Sequence, residues 1–223
     1  MNTGKQLSGI VLASLLLVSA SIGRAAGGDV CAPFKDGVVE TSLVERMLAA
    51  AEDGNLYRIV ADSSQVGFCV DSEFNTVEGV FRDFQGGLAL GAKGSTDGQT
   101  LVVVRTASLD TDGALLEAMI KGRRFFDTAQ YPEILFVSND FEWTSARTAV
   151  LKGDLTLHGV TRPVVFDVEL TNLTEQQAGE TDMVLFKATT AISRNAFGMD
   201  ALSTLVSDQV KLCLSVEAQK YRS

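Results

Sequence analysis

Apolar and polar residues alternate with a period of two along Leu151–Leu170, LKGDLTLHGVTRPVVFDVEL, which predicts two antiparallel strands joined by a tight turn. Gly159 and Pro163 are expected to bracket that turn. The predicted apolar face carries Leu155, Leu157, Val164, Phe166, Val168 and Leu170. The other face carries mostly Asp154, Thr156, His158, Val165, Asp167 and Glu169. Strands of this half-apolar kind are typical of a sheet that closes around an interior.

The same alternation continues through most of the chain after residue 55. It predicts strands over Leu56–Val60, Gln65–Asp71, Val77–Leu90, Leu101–Leu109, Glu133–Phe141, Ala149–Leu157, Val164–Thr171, Met183–Ile192 and Gln209–Ala218. This number of strands predicts one all-β domain, an antiparallel β-barrel of about eight strands.

One segment before the strands has helical spacing instead. Ser42 and Glu45 form a capping box ahead of an amphipathic stretch that Asp53-Gly54 ends. This short helix is expected to pack on the outside of the barrel or across one of its mouths.

A second helix is expected between the fourth and fifth predicted strands, crossing one end of the barrel. Its predicted apolar face carries Ala114, Leu115, Ala118 and Met119. The cations Lys121, Arg123 and Arg124 then stand close to Phe125 and Phe126. Two interpretations stay open, an anion site above an apolar cavity or a solvated face beside two core aromatics.

The N-terminus is typical of a secretory signal peptide, since Lys5 precedes the apolar run Ile10–Val18 and small residues follow. The run is shorter than the ~20 apolar residues that a membrane span needs. The predicted organisation is a signal peptide over 1–25, an N-terminal extension with a short amphipathic helix over 26–55 and a barrel domain over 56–223. We therefore expect secretion into the periplasm.

Composition narrows the function classes. The net charge of -9 disfavours nucleic acid as a partner. The chain has one histidine and lacks a Gly-x-Ser-x-Gly elbow, a phosphate-binding glycine loop and a Cys-x-x-Cys pair, so no enzyme, metal site or cofactor is predicted. Transient membrane contact and the oligomeric state, a homodimer included, stay open.

The three cysteines, Cys31, Cys69 and Cys213, allow three different single bridges. An oxidising compartment favours one of them. Cys69 and Cys213 are both predicted to face outward, on the first and last long strands, which are neighbours in a closed barrel. Their pairing is the leading prediction, with Cys31 as an alternative partner for either.

Six short motifs occur in an order that resembles the YceI-like family of secreted lipid-binding proteins. They are Ser64-x-Val66-x-Phe68, Gly79-x-Phe81-x-x-Phe84-x-Gly86, Ala107-Ser108-Leu109-Asp110-Thr111, Phe125-Phe126-Asp127 with Tyr131-Pro132-Glu133-Ile134-x-Phe136, Gly153-x-Leu155-Thr156-Leu157-His158-Gly159-Val160-Thr161-x-Pro163-Val164, and Ile192-Ser193-Arg194-x-x-Phe197-Gly198-Met199. The resemblance implies a lipocalin-like antiparallel barrel that holds a long apolar molecule, typically a polyisoprenoid or a fatty acid or amide. The ligand expected here is a non-covalently bound polyisoprenoid, quinone or fatty-acyl lipid.

Candidate ligand-binding residues follow from the predicted inner faces and the motifs. They are Val66, Phe68, Val70, Phe81, Phe84, Phe136, Leu155, Leu157, Phe166, Val168, Ile192, Arg194, Phe197, Met199, Leu212 and Leu214. Arg194 either caps the ligand head or closes the barrel mouth, and a salt bridge to a nearby carboxylate is the alternative. The function expected is carriage or storage of a lipid, and the alternative is a periplasmic stress-related interaction module whose interior is a filled core.

Overall fold

A computed structural model describes residues 34–35, 38–39, 41–90, 98–172 and 181–222. The predicted signal peptide and Cys31 lie outside these residues.

Within them the chain forms two helices and thirteen strands, all of them antiparallel to their neighbours. The helices are α1 (Thr41–Glu52) and α2 (Ala114–Lys121). The strands are β1 (Phe34–Lys35), β2 (Val38–Val39), β3 (Leu56–Ile59), β4 (Gln65–Ser72), β5 (Thr76–Phe81), β6 (Phe84–Ala89), β7 (Gln99–Arg105), β8 (Leu109–Thr111), β9 (Glu133–Trp143), β10 (Thr148–Leu157), β11 (Val160–Leu170), β12 (Met183–Ser193) and β13 (Val206–Lys220).

Strand β13 closes the sheet into a barrel. It pairs with β12 on one side and with β3 and β4 on the other, so the ends of the sheet meet. Three positions in the barrel wall are each filled by two successive strands, namely β3 with β4, β5 with β6, and β7 with β8. The eleven strands of this sheet therefore occupy eight positions around the ring. The predicted all-β barrel of about eight strands is therefore confirmed, and an interior of this circumference is just wide enough for side chains or one slender ligand.

The β10–β11 hairpin turns on two residues, His158 and Gly159, because Leu157 pairs directly with Val160. Both turn residues have positive φ, 52° and 72°, as a type I′ turn requires. Pro163 lies inside β11 instead of bracketing the turn, so that part of the prediction is wrong.

Asp154, on the polar face of this hairpin, does not meet solvent. Its side chain is fully buried, and neither carboxylate oxygen has a hydrogen-bond partner. Its cross-strand neighbour Val137 packs with Leu135 and with Leu43 of α1, so the outer surface of the sheet is already covered at this point. Burial raises the pKa of the Asp154 carboxyl above its ordinary value.

Helix α1 lies on the outside of the barrel, against β3, β6 and β7, which decides between the two placements that the sequence allowed. Leu43 is its anchor and is fully buried. The helix begins at Thr41, so Ser42 lies within it and not ahead of it. Leu48 faces away from the barrel and is 60% exposed.

Candidate ligand cavity

The barrel interior is not filled by its own side chains. It contains a cavity of about 190 Å³ whose lining is apolar apart from Thr100 and Arg194. The backbone N–H of Thr100 is bonded, since it donates to the hydroxyl of Ser138 at 2.7 Å. The interior therefore offers an apolar molecule space and offers water few partners.

Thirteen of the sixteen residues singled out from the sequence line this cavity. They are Val66, Phe68, Val70, Phe81, Phe136, Leu155, Leu157, Phe166, Ile192, Arg194, Met199, Leu212 and Leu214. Phe84, Val168 and Phe197 are buried in the surrounding core without lining it. Phe84 follows the bend between β5 and β6, and Phe197 lies in the helical turn Asn195–Phe197, so strand alternation does not fix the direction of either side chain.

The remaining wall residues were missed, although most obey the same alternation. They include Ile59, Val77, Val102, Val104, Ile134, Leu151, Phe186, Ala188, Val210 and Val216. A uniform rule, taking every inward position of every strand, would have found them.

Three aromatic rings close one region of the cavity. Phe126, in the segment after α2, lies 5.8 Å from Phe68 and 5.7 Å from Phe81 between ring centroids. Phe68 and Phe81, on neighbouring strands, are 6.1 Å apart. These separations are typical of attractive aromatic pairs, so the segment after α2 is fixed to the barrel wall.

Helix α2 crosses one end of the barrel as expected, but with a different face inward. Leu116 and Ile120 line the cavity, whereas Leu115 is 87% exposed and Ala118 also faces solvent. Both faces of this helix are apolar, so spacing alone does not choose between them. Met119 belongs to both, since it lines the cavity and is 45% exposed.

Two further segments lie at the same end of the barrel as α2. The turn between β4 and β5 meets the loop before β13, where the N–H of Glu73 donates to the carbonyl of Leu205 at 3.0 Å. Strand β8 runs antiparallel to β5, so its C-terminal end points toward the β4–β5 turn. Helix α2 follows β8 in the chain and therefore lies at the same end of the barrel. We call this end the mouth, because Met119 both lines the cavity and is 45% exposed to solvent there.

Arg194 ties the loop at the mouth. Its Nη1 donates to the carbonyls of Met199 at 2.6 Å and Ala201 at 2.7 Å, while Nε and Nη2 donate to those of Ser207 and Val206, each at 2.9 Å. Four of the five guanidinium N–H groups are thereby used. No ion pair of Arg194 is found within the described ranges, so the geometry matches closure of the mouth and not the salt bridge.

Asp208 supports the same loop from the outside. The backbone N–H of Asn195 and the hydroxyl of Ser193 both donate to its Oδ1 at 2.9 Å. These bonds, with a smaller contribution from the Arg194 charge, hold the pKa of the Asp208 carboxyl below its ordinary value.

The single histidine has a structural position. His158 donates its Nδ1–H to the carbonyl of Phe197 at 3.1 Å, and its ring packs against Tyr131 with centroids 4.5 Å apart. Its contacts hold the β10–β11 turn to the Asn195–Phe197 turn.

The three cations at the end of α2 and just after it have different surroundings. Lys121 forms an ion pair with Glu117 at 2.7 Å, while Arg123 and Arg124 are exposed. Phe125 and Phe126 both line the cavity, so the aromatics belong to the interior and the cations to the surface.

Cys69 and Cys213 are free thiols on the same outer face of neighbouring strands. The register pairs Cys69 with Lys211 and Cys213 with Gly67, so the two cysteines are diagonal neighbours. Burial, and then the Cys213 thiol, raise the pKa of the Cys69 thiol, and Lys211 opposes them. The predicted disulfide is not formed in the structure.

The described ranges contain neither a cluster of metal-ligating side chains nor a membrane-spanning helix. No group of three or more His, Cys, Asp or Glu side chains in this part of the chain is arranged to hold a metal ion. Neither of its helices is long and apolar enough to cross a membrane.

Comparison with known proteins places the chain. The model of the YceI-like domain matches residues 57–218. A UPF0312 protein of Pseudomonas putida strain W619 is 33% identical over 149 residues, which is 67% of this chain and 77% of the relative.

Solved structures share the fold at low identity. BcnA of Burkholderia cenocepacia has a TM-score of 0.65 at 20% identity, over 72% of this chain and 99% of that one. A polyisoprenoid binding domain from Saccharophagus degradans, implicated in plant cell wall breakdown, has a TM-score of 0.57 at 15% identity, over 74% and 98%. With the family match covering most of its length, the chain belongs to the YceI-like family.

Proposed function

We propose that this protein binds one long apolar lipid in its barrel, of the polyisoprenoid class that includes quinone tails, and carries or stores it in the periplasm. The observation that carries the proposal is the apolar cavity of about 190 Å³, one of whose lining residues, Met119, is also exposed to solvent. Export is supported by the leader-like residues 1–25, and a binding role without catalysis by the absence of a catalytic motif in the sequence.

An empty apolar cavity of this size is expensive for a small domain. At about 24 cal/mol per Å³, the coefficient for enclosed core cavities, leaving it vacant costs at most about 4 to 5 kcal/mol. This is a large fraction of the ~5–15 kcal/mol that stabilises a typical domain. Water does not offset the cost, because a lining without free polar groups gives it few hydrogen bonds. A bound apolar molecule offsets it directly, which argues against the filled-core alternative.

The chemistry of the lining favours a flexible hydrocarbon chain over a compact polar ligand. Branched aliphatic and aromatic side chains surround the cavity, and the guanidinium of Arg194 is occupied by backbone carbonyls. The structural neighbour from Saccharophagus degradans, described as a polyisoprenoid binding domain, supports the polyisoprenoid class.

Exchange of such a ligand with a membrane is thermodynamically feasible. Each methylene gains about 0.8 kcal/mol on leaving water, but it gains about as much in a bilayer as in the barrel. The net transfer free energy is therefore small, and binding is reversible. This balance suits a carrier or reservoir.

A pair of substitutions on one strand tests the proposal. Ala188 is buried and lines the cavity, while Ala191, three residues later on β12, is exposed on the opposite face. Ala188→Phe is expected to fill the cavity and to lower uptake of a fluorescent polyprenyl alcohol from donor vesicles by at least about tenfold. Ala191→Phe is the matched control and should bind as the wild type does.

Circular dichroism and thermal unfolding establish that both variants are folded. Uptake that is equal in a folded Ala188→Phe variant and in the wild type would contradict the cavity as the binding site.

A further inference from the structure

We propose that the mouth of the barrel docks directly on the surface of a lipid bilayer, through an apolar rim formed by Phe74, Leu115, Met119 and Leu205. The inference rests on the proposed function, because a lipid cargo gives the rim a reason to meet a membrane. It adds the surface at which cargo enters and leaves.

The rim joins three separate elements. Phe74 is 82% exposed at the tip of the β4–β5 turn, and Leu115 is 87% exposed on α2. Leu205 is partly exposed in the loop before β13, beside the β4–β5 turn. Exposed single apolar residues are common, but their convergence at one end marks an interaction surface.

The turn that presents Phe74 is held in shape. The hydroxyl of Ser72 donates to the carbonyl of Asn75 at 2.6 Å and accepts the N–H groups of Phe74 at 3.3 Å and Asn75 at 3.2 Å. The ring of Phe74 thus projects from an ordered turn, as an inserting side chain should.

Continuity with the cavity identifies a bilayer as the partner. Met119 forms part of the rim and part of the cavity lining, so the surface that would enter the lipid adjoins the binding space. An apolar chain that passes at this point from a docked bilayer into the barrel need not cross open water. A protein partner covering the same rim would obstruct that passage.

The charges around the rim indicate apolar insertion and not electrostatic attraction. The exposed charged residues at this end include the cations Arg123 and Arg124 and the carboxylates Asp112 and Glu73, and Lys121 is already paired. Among these described residues the two signs balance, and the whole chain carries a net charge of -9. Binding to an uncharged, zwitterionic surface that resists salt is therefore expected.

Sedimentation with sucrose-loaded phosphatidylcholine vesicles tests the surface. The wild type should sediment, with equal affinity at about 0.05 and 0.5 M salt. The double variant Phe74→Ser/Leu115→Ser should bind at least about tenfold more weakly. Both residues are exposed and outside the cavity lining, so the fold and the cavity are retained.

The matched control is Leu48→Ser, since Leu48 is exposed on α1, away from the mouth. It should sediment like the wild type. A soluble, fluorescent short-chain prenyl alcohol, titrated without vesicles, should bind all three proteins equally.

Each departure has a distinct meaning. A wild type that binds the prenyl probe but not the vesicles, a double variant that sediments normally, or binding that is lost in high salt would overturn the docking surface. A further outcome is a wild type that is dimeric and binds no vesicles, with a double variant that is monomeric in analytical ultracentrifugation. This outcome would assign the rim to a second copy of the chain and would also overturn the docking surface. Failure of the wild type to bind the prenyl probe would count against the carrier function instead.

Discussion

The ring of Phe126 meets the ring of Phe81 edge to face, with centroids 5.7 Å apart and planes inclined at 82°. This contact fixes the segment after α2 to the wall of the barrel. It also places an aromatic side chain between the cavity and the solvent at the mouth.

Replacing Phe126 by Leu is therefore expected to speed the release of bound lipid. The variant loses two aromatic pairs, worth about 0.5–1.5 kcal/mol each, that hold the mouth segment closed. Transfer of a fluorescent polyprenyl alcohol to acceptor vesicles should become about tenfold faster in stopped-flow measurements. An unchanged release rate in a folded variant would show that Phe126 does not control the exit.

Substitution of Arg194 should destabilise the protein, because its guanidinium holds four carbonyls of the mouth loop. Lysine keeps the charge but lacks the planar array of donors, so Arg194→Lys should cost at least about 2 kcal/mol of unfolding free energy. Urea titration measures this loss. The control is Arg82→Lys, since Arg82 forms an exposed ion pair with Asp110 and should cost less than about 1 kcal/mol. Equal effects of the two substitutions would contradict the structural role of Arg194.

Asp154 makes the stability depend on pH in an unusual direction. Because burial raises its folded-state pKa, the folded protein binds more protons than the unfolded chain above the ordinary pKa of 3.8, and this group lowers stability as the pH rises. Asp154→Asn should therefore be more stable than the wild type at about pH 7, by about 1 kcal/mol or more.

The stability difference should shrink as the pH falls toward about 4, because protonation of the Asp154 carboxyl removes its buried charge. Urea titrations at the two pH values measure it, with Asp167→Asn, on the exposed face of β11, as the control. A less stable Asp154→Asn variant at neutral pH would indicate that the carboxylate has a partner.

Oxidation is expected to join Cys69 to Cys213 across β4 and β13. They are diagonal neighbours on one face, so a bridge requires a small backbone shift, and it would stabilise the protein by on the order of 4 kcal/mol if unstrained. Non-reducing peptide mapping of protein secreted into an oxidising compartment should recover the linked pair, and Cys69→Ser should abolish it. Recovery of Cys31 linked to either residue would contradict this pairing.

The strands were predictable because, within a strand, the direction of each side chain alternates from one residue to the next. Alternation located β9, β10 and β12 to within two residues at each end, and the apolar face of β10–β11 is buried as expected. Pro163 is the exception within this hairpin. The turn needs only His158 and Gly159 in positive φ, which leaves Pro163 to continue β11.

Features that depend on contacts between distant segments were not predictable. Asp154 is buried at a place where α1 covers the outer surface of the sheet, since Leu43 of α1 packs on Val137, the cross-strand neighbour of Asp154. The alternation of residues within a strand does not indicate which part of the sheet a helix will cover. The facing of α2 was ambiguous because Leu115 and Leu116 are equally apolar. Whether the interior holds a cavity depends on the summed volume of side chains from all eight wall positions.

Native mass spectrometry of mature protein purified without detergent tests the central claim most directly. The carrier account predicts a stoichiometric additional mass, and denaturation followed by lipid analysis should release a polyprenyl or quinone species. A mass equal to the bare chain, in a protein that also takes up no added polyprenyl lipid, would contradict the account.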